Sequence, residues 1–314
     1  MARNREFEIV KHTKMNLLEI FFVEMTARSP HGHDDLEIGI LLEGNLTLFI
    51  EQEHHVLRTG DIYIINRYQV HSFANPAART ATKRNRILAF QVHTDLYRKI
   101  NPQLMYLHLE NNIIRSGSLY QNLKSTLLSC ASCYFSSAPF RELKCSSLLF
   151  EALHQILTSA QCTISSEQAS ASAQNATLRL NRITDYLAQH YAEHISLADI
   201  ADLEQITPCH ASHFIKQTIG ISFQDYLNQI RFEHALQLMD TTDLTILDIC
   251  LETGFSSSRY LQRAFEKNLG CTPKEYRKAE KKPRLIGPAL PTDNVQRRFS
   301  FEQSAALLKQ YVPI

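Results

Sequence analysis

Two histidines and a glutamate fall within seven residues in His31-Gly32-His33-Asp34-Asp35-Leu36-Glu37, and another histidine follows at His71. Imidazole and carboxylate groups suit a transition metal such as Mn, Fe, Ni or Zn. In an apolar cavity they also give directional hydrogen bonds to a small polar molecule. A second chemistry-bearing set is cationic. Residues 259–284 hold nine Lys and Arg against three Asp and Glu, a local net of +6, in a chain whose whole charge is +1. Such a cluster attracts phosphate. The seven cysteines are scattered and odd in number, and Cys130-Ala-Ser-Cys133 has no second pair at zinc-site spacing. Reduced thiols without a redox or metal role are expected.

Elements must position these groups. Leu17–Met25, Leu36–Leu42, the alternation of Leu46, Leu48 and Ile50, then Asp61–Asn66, Gln69–Phe73 and Arg86–Val92 read as short strands. Gly44-Asn45 and Thr59-Gly60-Asp61 mark turns between them. Closely spaced strands predict a sandwich or barrel. From residue 115 the period changes. Leu119, Leu123 and Leu127, and after Pro139 the residues Leu143, Phe150, Leu153 and Leu157, predict a helical hairpin with an apolar face on each arm. Its coiled-coil-like pattern points to pairing with a second subunit, with capping of the barrel as the alternative. Residues 161–177 are poor in large apolar side chains and predict a flexible linker.

The C-terminal half states one unit twice. Ser196-Leu-Ala-Asp199-Ile200-Ala201 returns as Thr245-Ile-Leu-Asp248-Ile249-Cys250, and Gly220-Ile-Ser-Phe-Gln-Asp-Tyr226 as Gly270-Cys-Thr-Pro-Lys-Glu-Tyr276. A repeat of this kind signals one supersecondary unit used twice. Ser196 and Thr245 are N-cap candidates with Asp three residues on. Pro208 suits the first position of a following helix, and Gly220 and Gly270 suit left-handed helix ends. Each unit therefore reads as a helix-turn-helix, joined by the amphipathic stretch Phe223 to Asp240.

Ala198-Asp-Ile-Ala201, Phe214 to Gly220, Phe223 to Arg231, Gly254-Phe255-Ser256, Arg263-Ala-Phe265, Gly270 and Pro273 to Arg277 together resemble the AraC/XylS family of bacterial transcription regulators. The resemblance is strong over Leu178 to Arg277. By position it implies that Cys209, Ser212, His213 and Lys216 face DNA from the first unit, and Arg259, Gln262, Arg263 and Lys267 from the second. Arginine pairs bidentately with guanine and glutamine with adenine, so the second unit is the better armed for base reading. Arg277, Lys278, Lys281 and Lys282 are phosphate-contact candidates.

The stretch from His31 to Asn75 is similar to the two cupin motifs, although Asn66 and Tyr68 stand where the second has proline and glycine. That likeness implies a jelly-roll sensor and assigns His31, His33, Glu37 and His71 to effector binding, with Arg67 and Tyr68 at the same mouth. No cofactor is expected beyond a divalent metal as a candidate at these four residues. The fold class expected is α+β in several domains. Residues 1–160 form a cupin-like barrel with a helical hairpin, 161–177 a linker, 178–282 an all-α DNA-binding domain with two helix-turn-helix units, and 283–314 a tail. Phe301–Tyr311 in that tail is expected to form an amphipathic helix that docks on the body or a partner. The expected function is a ligand-responsive transcription regulator, a homodimer sensing a small polar molecule such as a sugar. Its partners are double-stranded DNA, the effector and, for an activator, RNA polymerase. The absence of an 18-residue apolar run and of an apolar signal core makes it cytoplasmic, with no membrane partner. The alternative is a metal-dependent cupin enzyme fused to a DNA-binding module.

Overall fold

A computed structural model describes residues 15, 17–51, 53–75, 85–279, 283, 291–292 and 294–312. Seven strands come first: β1 (Leu18–His31), β2 (Asp35–Glu43), β3 (Asn45–Ile50), β4 (Glu53–Arg58), β5 (Ile62–Ile65), β6 (His71–Ala74) and β7 (Arg86–His93). A short helix α1 (Asp95–Arg98), a 3-10 turn (Pro102–Tyr106) and strands β8 (Leu107–Leu109) and β9 (Ile113–Ile114) follow. The main sheet runs β4-β3-β6-β1-β7-β2-β5-β9 with antiparallel pairings and curls into a half-barrel. β4, too polar to read from its sequence, is an edge strand held along its whole length by β3.

Strand side chains alternate between two faces. Val23, Met25, Leu48, Tyr63, Phe73 and Ala89 fill one face, the inside of the curl. Ile20, Phe22, Ile38, Ile40, Leu88 and Phe90 fill the other. There they meet Leu123 and Leu127 of α2 (Gly117–Tyr134) and Leu149 and Ile156 of α3 (Arg141–Ser159). The hairpin's apolar faces are thus satisfied by the sheet within this chain, and Leu143 points away, 74% exposed. Cys130 and Cys145 are buried in the same contact, and burial pushes the Cys133 thiol up to about 11, so Cys133 offers no ready thiolate.

The expected linker is mostly regular structure. β10 (Cys162–Ile164) pairs with β8, and α4 runs unbroken over Glu167–His190 with Ser166 as its N-cap. Its alanines favour helix, and Thr177 and Leu180 give it a buried face, which outweighs the scarcity of large apolar residues.

The remaining helices are α5 (Leu197–Glu204), α6 (Pro208–Ile219), α7 (Phe223–Thr241), α8 (Ile246–Glu252), α9 (Ser258–Leu269) and α10 (Pro273–Lys278). Both capping boxes form, Ser196 with Asp199 and Thr245 with Asp248. Gly220 and Gly270 end α6 and α9 in the left-handed conformation. α7 is shared by both units. Phe223, Tyr226, Leu227 and Ile230 belong to the first core, and Phe232, Ala235, Leu236 and Met239 to the second. Beyond α10, β11 (Val295–Arg298) adds antiparallel to β1, and α11 (Phe301–Leu308) packs on the half-barrel. The tail docks on the body of its own chain.

Candidate effector pocket and nucleic-acid interface

The four residues assigned to the effector come together. His31 and His71 are register partners in β1 and β6, and their rings lie 4.3 Å apart. The His33 ring is 5.2 Å from that of His71. One nitrogen from each of the three can be chosen so that all lie within 4.8 Å of one another. Each Nδ1 meets a backbone carbonyl: Ser29 for His31 at 2.9 Å, Asp35 for His33 at 3.0 Å and Gln69 for His71 at 3.0 Å. Those contacts place a proton on each Nδ1; His71 Nε2 is then a lone pair, the tautomer a metal requires, while His31 Nε2 accepts from Arg28 Nε at 3.3 Å and His33 Nε2 faces Glu37.

Glu37 completes the group. Its Oε1 accepts from the Tyr63 hydroxyl at 2.8 Å, and its Oε2 lies 3.2 Å from His33 Nε2. Two acceptors so close need a proton or a cation between them. Burial works to raise the Glu37 pKa, but the hydrogen bond and charge of His33 outweigh it and hold the carboxyl at about 2. Burial, then the neighbouring His33 charge, lowers His71 to about 4. Burial, then Arg28, carries His31 well below its ordinary value. His71 Nε2 and Gln91 Oε1 are buried without a hydrogen-bond partner among the described residues. Unpaired buried polar atoms are costly and point to something that occupies the space beside them.

The cavity at this cluster measures about 50 Å³. Tyr63 and Gln91 line it, and so do Gln296 and Arg298 of β11. Strand alternation in β5 could have found Tyr63, but no local signal points to residues from the far end of the chain. Arg67 and Tyr68 are not part of the lining. Arg67 pairs with Asp34 and donates to the Tyr68 hydroxyl, while Tyr68 faces a separate cleft beside α4.

The expected DNA-facing residues stand on two exposed helix faces. Cys209, Ser212, His213 and Lys216 are exposed on α6, and Arg259, Gln262, Arg263 and Lys267 on α9. Between them, buried residues such as Ala211, Phe214, Leu261 and Phe265 hold each helix to its core. Gln262 is braced by Glu266 at 2.7 Å, and Lys267 pairs with Asp225 at the start of α7, which draws it toward a structural role. Arg277 and Lys278 end α10; Lys281 and Lys282 lie outside the described residues.

The two halves touch at the pocket. The Asn181 amide on α4 donates to the Gly32 carbonyl at 3.0 Å and accepts from the Gly32 N–H at 3.3 Å. A Cβ at Gly32 would stand 2.7 Å from Thr177, so glycine between the two histidines permits this approach.

Residues 200–279 match the family model described as a helix-turn-helix domain, and residues 23–100 the one described as an AraC-like ligand binding domain. An uncharacterized HTH-type transcriptional regulator of Staphylococcus aureus (strain MSSA476) is 26% identical over 77% of this chain and 31% of its own length. The chain thus spans about a third of the length of the first such relatives. The uncharacterized HTH-type transcriptional regulator YijO of Escherichia coli (strain K12) is 36% identical over 31% of this chain and 34% of its own. Among solved structures, the C-terminal domain of AraT, a response regulator from Geobacillus stearothermophilus, is 33% identical, covering 32% of this chain and 84% of that domain at a TM-score of 0.31. No helix among the described residues is long and apolar enough to cross a membrane.

Proposed function

Because this chain belongs to the AraC-type transcription regulators, joining a ligand-binding unit to a helix-turn-helix DNA-binding unit, we propose that its effector is read at His31, His33, Glu37 and His71. The observation that carries this reading is the cluster of three imidazoles, one ring nitrogen of each lying within 4.8 Å of the others, beside the Glu37 carboxylate 3.2 Å from His33 Nε2. That donor set fits a divalent transition metal, which would satisfy His71 Nε2 and separate His33 from Glu37. At about 50 Å³ the cavity has room for an ion with one or two waters. A sugar, the expectation from the cupin likeness, needs a larger space than this. A small polar organic effector stays the second reading, supported by the unpaired Gln91.

Melting of the full chain separates these. Zinc, nickel or manganese at a hundred times its dissociation constant adds about 2.7 kcal/mol, seen as a raised midpoint that a chelator reverses. A shift with a sugar that ignores chelator, and none with metals, would overturn the metal reading.

Occupancy reaches DNA through Gly32. A ligand that draws His31 and His33 together moves the peptide that Asn181 grips, and α4 leads directly into the first helix-turn-helix. Such coupling requires the effector to favour one arrangement of the halves over another. The recognition helices α6 and α9, held by the shared α7, enter successive major grooves about 34 Å apart. Arg263→Ala is expected to weaken binding to an operator selected from random duplexes by about 1–3 kcal/mol and relax one base position. Equal affinity and unchanged preference would remove Arg263 from base reading. A homodimer is part of this proposal, supported by Phe140 and Leu143, 78% and 74% exposed at the hairpin tip. Contact with RNA polymerase and a cytoplasmic location belong to the same reading.

A further inference from the structure

The pocket is completed by a segment from beyond the DNA-binding helices. β11 lies against β1 with Val23 opposite Arg298 and Met25 opposite Gln296. Val23 and Met25 line the cavity from the sheet, and Gln296 and Arg298 line it from β11. The Arg298 guanidinium sits 3.6 Å over the Phe21 ring and pairs with Glu19. The strand therefore lies across the side of the pocket that the other eight strands of the sheet leave open.

Its ends are anchored to different bodies. On the near side, Thr292 is buried, and its N–H donates to Glu233 of α7 at 3.2 Å. Asn294 then accepts from the Ser29 N–H at 3.0 Å, and the Ser29 carbonyl in turn holds His31 Nδ1. On the far side, fully buried Ser304 accepts from the Phe22 N–H at 3.3 Å. Tyr311 stacks on Phe22 and accepts from Arg86 at 2.7 Å. A continuous path of contacts thus runs from α7, the spine of both helix-turn-helix units, over the histidine cluster and onto the outer face of the sheet.

We propose that residues 294–312, with Thr292 ahead of them, form a strap that closes the effector pocket, supplies Gln296 and Arg298 as binding residues, and links the pocket to α7. With the strap seated, the cavity admits an ion. A larger polar effector enters when β11 lifts from β1, which also strains the Thr292–Glu233 link. β11 is suited to this because it is short and exposed, whereas the β1–β7 pairing on the other edge of β1 is seven residues long and largely buried. The inference rests on the cluster's being the effector site, and the following test needs no effector.

The probe is diethyl pyrocarbonate, which modifies neutral imidazole, read histidine by histidine by peptide mass spectrometry on the whole chain. In the native chain His71 should react slowly, being buried beneath the strap. Ending the chain after residue 290 should raise its rate about tenfold or more, with the exposed His154 and His210 unchanged as internal controls. A second variant, Ser304→Ala with Tyr311→Phe, loosens only the far anchor and should give a smaller rise in the same histidine. This variant decides the matter if the shortened chain melts early. An unchanged His71 rate in the folded variants would overturn the strap while leaving any metal-induced melting shift intact. A faster His71 with no response to any metal or small molecule supports the strap and counts against the effector reading instead.

Discussion

Gly254→Ala is expected to destabilise the C-terminal half by about 2–5 kcal/mol, combining left-handed strain with overpacking against rigid backbone. Gly254 lies between α8 and α9 at φ +72°. A Cβ there would stand 2.6 Å from the Ala192 carbonyl oxygen and 2.7 Å from that of Tyr191. Backbone cannot swing aside as a side chain can, so the end of α4 and the turn of the second unit would have to separate. DNA affinity should fall with stability, because α9 follows this turn directly. Urea unfolding of the full chain measures the effect. A loss below about 0.5 kcal/mol, within the range of ordinary surface substitutions, would show that the turn tolerates a side chain.

The next largest effect is expected at Arg231, in the middle of α7. Its guanidinium is buried and donates to the Tyr191 carbonyl at 2.8 Å and the Glu193 carbonyl at 2.8 Å. Burial lowers its pKa, and the carbonyls of Tyr191, the C-cap of α4 where the helix dipole favours a cation, and of Glu193 in the turn beyond hold it in place. Arg231→Ala should cost about 3 kcal/mol, since hydrogen bonds to a charged group are each worth roughly 1.5–3 kcal/mol and two acceptors lose their donor. Arg231→Lys should recover part of the loss through one of the two carbonyls. Tyr191 is the common neighbour of Gly254 and Arg231, so the double variant with Gly254→Ala should lose less than the sum of the two single losses. Additive losses, read from the same urea curves, would mean that the two contacts act independently.

These residues also mark how far sequence reasoning reaches. Gly254 stands out in the sequence beside Phe255 and Ser256, yet its reason is a carbonyl from the end of another helix. Arg231 reads as one more polar residue on an amphipathic helix until α4 is placed across it. Likewise His31, His33 and His71 are conspicuous as types, but the backbone carbonyls that meet their Nδ1 atoms and orient the rings toward one another depend on how the strands are placed. The expected linker failed for a related reason. Its composition lacks large apolar groups, but Thr177 at its end uses a small polar side chain to meet the Tyr68 carbonyl, as Asn181 one turn on does to meet Gly32.

What the sequence alone determined is local and periodic. The repeated caps at Ser196 and Thr245, the left-handed ends at Gly220 and Gly270, and the 3.6-residue apolar rhythm each act within one or two turns, so they can be read without a fold. They were enough for two helix-turn-helix units and a strand-rich first half. Tertiary structure alone decided which faces meet. It gave the hairpin's apolar arms to the sheet, drew three histidines to one point, laid α4 on Gly32 and brought Arg298 opposite Val23. Contacts of that kind join residues far apart in the chain, and their energy comes from complementary surfaces that no local spacing encodes.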